Sequence, residues 1–156
     1  MTEILIIGSP APAFTLPAND GKTISLSDFT GKKLVLYFYP KDDTSGCTAE
    51  AIDFNAKLDA FAACNTAILG ISADNVASHD KFIKKYALNF PLASDETKAM
   101  LEAYGVWVEK SMYGKKYMGT ERTTVLIDES GMVAKTWNKV KVSGHAEDVL
   151  SAAKLK

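Results

Sequence analysis

Two runs in the chain are apolar without alternation: Lys33-Leu34-Val35-Leu36-Tyr37-Phe38-Tyr39, ended by Pro40, and Ala67-Ile68-Leu69-Gly70-Ile71. Short runs of this kind, bounded by turn residues, read as strands buried on both faces. Between them the period changes. From Cys47 onward, Ala51, Phe54, Leu58 and Phe61 fall at i, i+3, i+7 and i+10, one stripe of a helix. Strand, helix and strand make a βαβ unit, which implies a parallel pair. Upstream, Phe14-Thr15-Leu16, a turn at Asn19-Asp20-Gly21 and Thr23-Ile24-Ser25-Leu26 predict a hairpin over 13–26.

Downstream, Val76–Tyr86 has the helical period, with Asp74 or Asn75 as its cap. Phe90-Pro91-Leu92 is a short extended piece, and Thr97–Tyr104 reads as a helix closed by Gly105. Thr123–Ile127 and Met132–Trp137 are strands joined through Asp128-Glu129-Ser130-Gly131, and Ala146–Ala153 is a terminal helix capped by Ser143. Lys110–Lys116, with Trp107, Tyr113 and Tyr117 around it, shows no clear period and reads as a loop. It either lines the entrance to a site or is a solvated loop whose aromatics anchor on the core. The order of elements predicts an α/β fold of the thioredoxin-like type. A mixed central sheet is flanked by helices on both faces, with a β-hairpin ahead of it.

Composition narrows the picture without supplying a function. The 156 residues suit one domain spanning 1–156, and 47% hydrophobic with 24% charged residues provides a core without a disulfide or metal staple. A net charge of -1 argues against nucleic-acid or membrane-surface partners. The longest apolar run near the start, Ile4-Leu5-Ile6-Ile7, is too short for a membrane span or a secretory leader, and Glu3 precedes it rather than a basic stretch. The expectation is a cytoplasmic protein whose thiols stay reduced. Two counts stand out. There are two cysteines, Cys47 and Cys64, and beside seventeen lysines there is one arginine, Arg122.

Cys47 falls where a polar, glycine-containing loop, Pro40-Lys41-Asp42-Asp43-Thr44-Ser45-Gly46, meets a helix start. Unpaired N–H groups and the helix dipole there favour the thiolate, the nucleophilic form. Dithiol exchange needs Cys-x-x-Cys, whereas here the fourth position is Glu50. A zinc site is poorly served by two cysteines and two histidines, His79 and His145, without paired spacing, so no metal or other cofactor is expected. A Cys–His hydrolase would need one of those histidines beside Cys47, and each is expected on or beside a surface helix.

Pro40-x-x-x-Thr44-x-x-Cys47 resembles the active-site signature of the peroxiredoxins, thiol peroxidases on a thioredoxin-like fold. Tyr37-Phe38-Tyr39-Pro40-Lys41-Asp42, Gly46-Cys47-Thr48-x-Glu50, Gly70-Ile71-Ser72, Gly105-Val106-Trp107, Tyr113-Gly114-Lys115 and Arg122-Thr123-Thr124-Val125-Leu126-Ile127-Asp128 look like the bacterioferritin comigratory protein (PrxQ) subgroup. The resemblance implies that Cys47 is the peroxidatic cysteine and that the Thr44 hydroxyl contacts its sulfur and the peroxide. It implies further that Pro40 shields the pocket, that Arg122 is the active-site arginine and that Glu50 orients it. In this reading the backbone N–H of Cys47, the Thr44 hydroxyl and the Arg122 guanidinium donate to the peroxide oxygens as charge develops. Arg suits the role because its donors are fixed in a plane and its charge survives burial. The substrates implied are hydrogen peroxide and organic hydroperoxides, and the resemblance implies a monomer or at most a weak dimer.

The chain departs from the subgroup in two ways. The sulfenic acid formed on Cys47 needs a reductant. Many members carry a second cysteine five residues on, where this chain has Ile52, expected to be partly exposed. Others carry it about 36 residues on, where the chain reads His79-Asp80-Lys81-Phe82-Ile83-Lys84. If 47–61 is one helix, Cys64 is too far along it to form a disulfide with Cys47, and it is expected to pack ahead of the Ala67–Ile71 strand or to pair between molecules. The expectation is therefore a 1-Cys peroxidase with an external reductant: thioredoxin, glutaredoxin or a small thiol. The contrasting expectation is a thiol sensor or holdase with little turnover. The second departure is Ser45, where the subgroup commonly has proline.

Overall fold

The computed structural model describes residues 5–156, so Ile4 of the early apolar run lies outside the described residues. Strand β1 (Thr15–Pro17) pairs antiparallel with β2 (Thr23–Ser25), placing Leu16 opposite Ile24. Then come β3 (Lys33–Phe38), α1 (Ser45–Ala56), α2 (Leu58–Ala63), β4 (Thr66–Ser72) and α3 (Val76–Tyr86). The chain continues through β5 (Leu92–Ser94), α4 (Ala99–Ala103), β6 (Trp107–Met112), β7 (Lys115–Thr120), β8 (Thr123–Ile127), β9 (Val133–Trp137) and α5 (His145–Lys154).

The central sheet has the order β5-β4-β3-β8-β9. β3 runs parallel to β4 and antiparallel to β8, so the βαβ unit and the later hairpin meet on the two sides of one strand. Every residue of β3 is buried, as its unbroken apolar run requires. Val35, Tyr37 and Tyr39 point to one face, where they pack with Cys47, Ala51, Phe54, Phe61, Phe82 and Val149 of the helices α1, α2, α3 and α5. Leu34, Leu36 and Phe38 point to the other, against Phe14 and Ile24 of the N-terminal hairpin and Met100 and Leu101 of α4.

Four local readings differ. The helical stripe is interrupted at Lys57 (φ -108°, ψ 9°), so α1 and α2 are separate helices rather than one from 47 to 61. The Thr97–Tyr104 helix is shortened to Ala99–Ala103 because Lys98 takes a left-handed conformation, φ 67°. α5 begins after Gly144 (φ 75°) rather than under a Ser143 cap. Lys110–Lys116 is not a loop: β6 and β7 form an antiparallel hairpin that turns at Tyr113-Gly114, both at positive φ. Two positive φ values in succession give the turn whose twist suits a hairpin. The strands stand largely in solvent on both faces, so no alternation marks them in sequence. No helix among the described residues is long and apolar enough to cross a membrane.

Candidate active site

β3 leaves the sheet at Tyr39-Pro40, and β8 enters it at Thr123, which lies opposite Phe38. Antiparallel pairing therefore brings Arg122 to the same end of the sheet as the 40–46 loop, although 75 residues separate it from Cys47. The loop ends at Thr44, whose extended backbone (φ -89°, ψ 157°) caps α1. The first intrahelical bond runs from the Thr48 N–H to the Thr44 carbonyl at 2.8 Å. The N–H groups of Ser45, Gly46 and Cys47 precede it and have no helical carbonyl to bond. Cys47 is thus a third-position residue of α1, with 1% exposure.

Arg122 donates from Nη2 to Cys47 Sγ at 3.2 Å and from Nη1 to Glu50 Oε1 at 2.6 Å. Glu50 is three residues after Cys47, so both lie on one face of α1. Its Oε2 is buried without a partner. Burial pushes the Glu50 carboxyl up to about 7 against the pull of Arg122. One arm of the fork thus faces a carboxylate and the other a sulfur, a geometry the single ammonium of Lys does not reproduce. Gly46 makes room for it: a Cβ there would lie 3.1 Å from Nη2 and 3.9 Å from Cζ.

The remaining predicted residues are placed differently. Thr44 is exposed, and its hydroxyl donates to the Lys41 carbonyl at 2.9 Å. Its proton is committed there, so towards a ligand the oxygen acts as acceptor, not as the donor expected from sequence. Pro40 sits at the strand exit and is exposed. Ser45 opens α1 at an exposed position. Ile52 is 45% exposed. Cys64 caps the end of α2, its thiol 3.3 Å from the Phe61 carbonyl and 3.5 Å from the Thr66 hydroxyl. Both cysteines are free.

The histidines are not on the surface. His79 is fully buried and bonded to Asp42, and His145 is 5% exposed with Nε2 2.7 Å from the Thr124 hydroxyl. Each side chain is paired within the core, which is why a helical position was misleading. Burial drives the His145 ring down to about 4. Lys110, the first residue of the stretch read as either a site entrance or a solvated loop, is a second cation near the site: burial lowers its ammonium, and the nearby Arg122 lowers it further.

The chain is similar to known proteins along most of its length. Residues 7–136 match the AhpC/TSA family. A "Putative peroxiredoxin bcp" of Coxiella burnetii is 50% identical over 144 residues, covering 92% of this chain and 95% of that one. The Xanthomonas campestris peroxiredoxin Q structure is 45% identical with a TM-score of 0.90, covering 97% of each chain. A structure of the bacterioferritin comigratory protein from the same organism, described for its alkyl peroxide reduction activity, is 44% identical at TM-score 0.90, covering 96% and 98%. The chain belongs to the AhpC/TSA family of thioredoxin-like proteins. Within that family it is a peroxiredoxin of the Bcp/PrxQ type, a thiol-dependent peroxidase.

Proposed function

We propose that Cys47 reduces hydrogen peroxide and organic hydroperoxides by a 1-Cys route, with residues 1–156 acting as one catalytic domain. The observation that carries this is the Arg122 fork, 3.2 Å from Sγ on one arm and anchored to Glu50 at 2.6 Å on the other. The fork sets a cation against the sulfur and keeps the guanidinium fixed for an incoming oxygen. The thiolate attacks the terminal oxygen of the hydroperoxide, an S–O bond forms and the O–O bond breaks. The departing alkoxide or hydroxide takes a proton from solvent water to leave as alcohol or water. Arg122 and the Cys47 N–H donate to the oxygens as charge moves onto them, and the Thr44 oxygen accepts a hydrogen bond from the peroxide hydroxyl, whose hydrogen stays on the oxygen joined to sulfur. Pro40, lacking an N–H, limits water at the loop. The alkyl peroxide reduction named for the Xanthomonas relative supports inclusion of organic substrates.

The product is a sulfenic acid on Cys47. An external thiol attacks it to give a mixed disulfide and water, and a second thiol releases Cys47. Ile52 and the α3 segment offer no thiol, and Cys64 bonds to its own turn. The reductant is thioredoxin, glutaredoxin or a small thiol, and the protein works as a cytoplasmic monomer. The test combines variants with mass spectrometry. Cys47→Ser abolishes thiol-dependent peroxide consumption and Cys64→Ser retains it. A Cys47–Cys64 disulfide within one monomer after one equivalent of peroxide would overturn the 1-Cys route.

A further inference from the structure

Asp42 lies two residues before Thr44 and five before Cys47, in the loop between β3 and α1, yet it is buried. Its Oδ1 accepts from the Tyr39 hydroxyl at 2.5 Å. Its Oδ2 faces the Ser78 hydroxyl and His79 Nδ1, both at 2.7 Å. The Asp42 N–H donates to Asp74 Oδ2 at 2.8 Å, which also holds the Ser72 hydroxyl at 2.8 Å. The fully buried His79 ring turns its other nitrogen, Nε2, to the Ala93 carbonyl at 3.0 Å. A carbonyl only accepts, so Nε2 carries a hydrogen, and Nδ1 shares another with the carboxylate. Imidazole and carboxylate thus form one buried pair, and removing either partner leaves the other uncompensated. Asp42, Asp74 and His79 are metal-ligand residue types close together, but these hydrogen bonds already use the atoms a metal would take.

The next residue is held by the same helix. Asp43 has φ 60°, an uncommon conformation for a residue with a side chain, and its carboxylate accepts from Lys85 Nζ at 2.8 Å and the Tyr86 hydroxyl at 2.7 Å. α3 therefore grips two consecutive loop residues, Asp42 with its buried first turn and Asp43 with its exposed last turn. Immediately afterwards the chain turns into Thr44 and α1. Among the described residues none of these groups bonds Cys47 or Arg122, and the apolar clusters already hold the sheet and α1 together. A buried ion pair is weak support for stability, and its better-attested use is to specify position.

We propose that Asp42 and His79 are positioning residues for peroxide reduction. Their buried pair latches the 40–46 loop onto α3, which sets where α1 starts and where the Thr44 oxygen and the Cys47 N–H meet the peroxide. The proposal rests on the reading of Cys47 as the reacting thiol, and Cys47→Ser tests that reading separately. The measurement is the single-turnover oxidation of reduced protein by hydrogen peroxide, set beside alkylation of Cys47 by iodoacetamide and thermal melting.

Asp42→Asn and His79→Gln lower the peroxide rate by at least about tenfold, since displacements near 1 Å carry penalties of that order or more. Alkylation, which does not use the peroxide-binding oxygen and N–H, stays level or rises as the loop opens over the buried thiol. The double variant is no slower than the slower single one, because the two residues act as a unit. Peroxide rates within twofold of the parent in both single variants, with Cys47→Ser inactive, overturn the latch. So does an equal fall in peroxide and alkylation rates, or single effects that multiply in the double variant. An active Cys47→Ser protein removes the reading beneath it. Should Asp42→Asn lose its cooperative melt, Tyr39→Phe and Ser78→Ala each remove one donor to the same carboxylate, and parental peroxide rates in both overturn the proposal.

Discussion

Gly46→Ala separates the rate of this enzyme from its stability. The new Cβ stands 3.1 Å from Arg122 Nη2. Heavy atoms settle at about 3.5–4.0 Å, so the nitrogen must withdraw by about 0.4 Å or more. The guanidinium has little freedom to do so, because Nη1 is tied to Glu50 at 2.6 Å and Nη2 to Cys47 Sγ at 3.2 Å. Gly46 and Cys47 are neighbours in the first turn of α1, so withdrawal from one draws the donor away from the other. Losing one preorganised donor outright costs roughly 10²–10³ in rate. A partial displacement is expected to cost about 10–100-fold in the second-order oxidation of Cys47 by hydrogen peroxide, read by stopped flow. Stability should hold or improve, because Ala is favoured over Gly in a helix by roughly 0.5–1 kcal/mol. A domain of this size would then melt no lower, and by as much as about 2–4 °C higher per kcal/mol gained. A parental oxidation rate in a stably folded Gly46→Ala protein would refute the argument that the guanidinium must lie where it does.

Three further outcomes follow from the same geometry. Arg122→Lys keeps the charge but serves only one of the two partners, and peroxide turnover is expected to fall by about 10²-fold or more; activity within a few-fold of the parent contradicts this. Glu50 is raised to about 7 in the fold, above its unfolded value near 4.5. The native state keeps a proton the unfolded state loses, so stability falls as pH rises from about 4.5 to 7. His145 is lowered to about 4 from 6.5, so the unfolded state binds the extra proton and stability rises across about pH 4 to 6.5. The two slopes oppose each other. Denaturant titrations should show stability rising with pH over this range more steeply in Glu50→Gln, and falling with pH in His145→Gln. Unchanged pH profiles in both would contradict the burial argument.

The elements that could be read from the chain are those whose signal is local. β3 and β4 are legible because burial on both faces leaves unbroken apolar runs, and α1 because Ala51 and Phe54 repeat at helical spacing against that sheet. The β6–β7 hairpin was not legible. Its strands are largely exposed on both faces, and the turn at Tyr113-Gly114 lacks the asparagine or aspartate that usually announces one. The break at Lys57 and the left-handed Lys98 are single-residue conformations to which a hydrophobic stripe is blind.

Within the site, the sequence by itself determined the residue types. It provided one thiol at a helix start, a glycine beside it, a glutamate one turn on and a single arginine before a strand. Their meeting was decided by the antiparallel pairing of β3 with β8, which places Arg122 beside a loop distant in sequence. The proton of Thr44 was likewise settled by the turn that presents the Lys41 carbonyl to it. His79 shows the division most clearly. Its place on a helix can be read from spacing, but its burial against Asp42 depends on how α3 lies over the loop, and hydrogen bonds between distant segments leave no periodic trace in a chain.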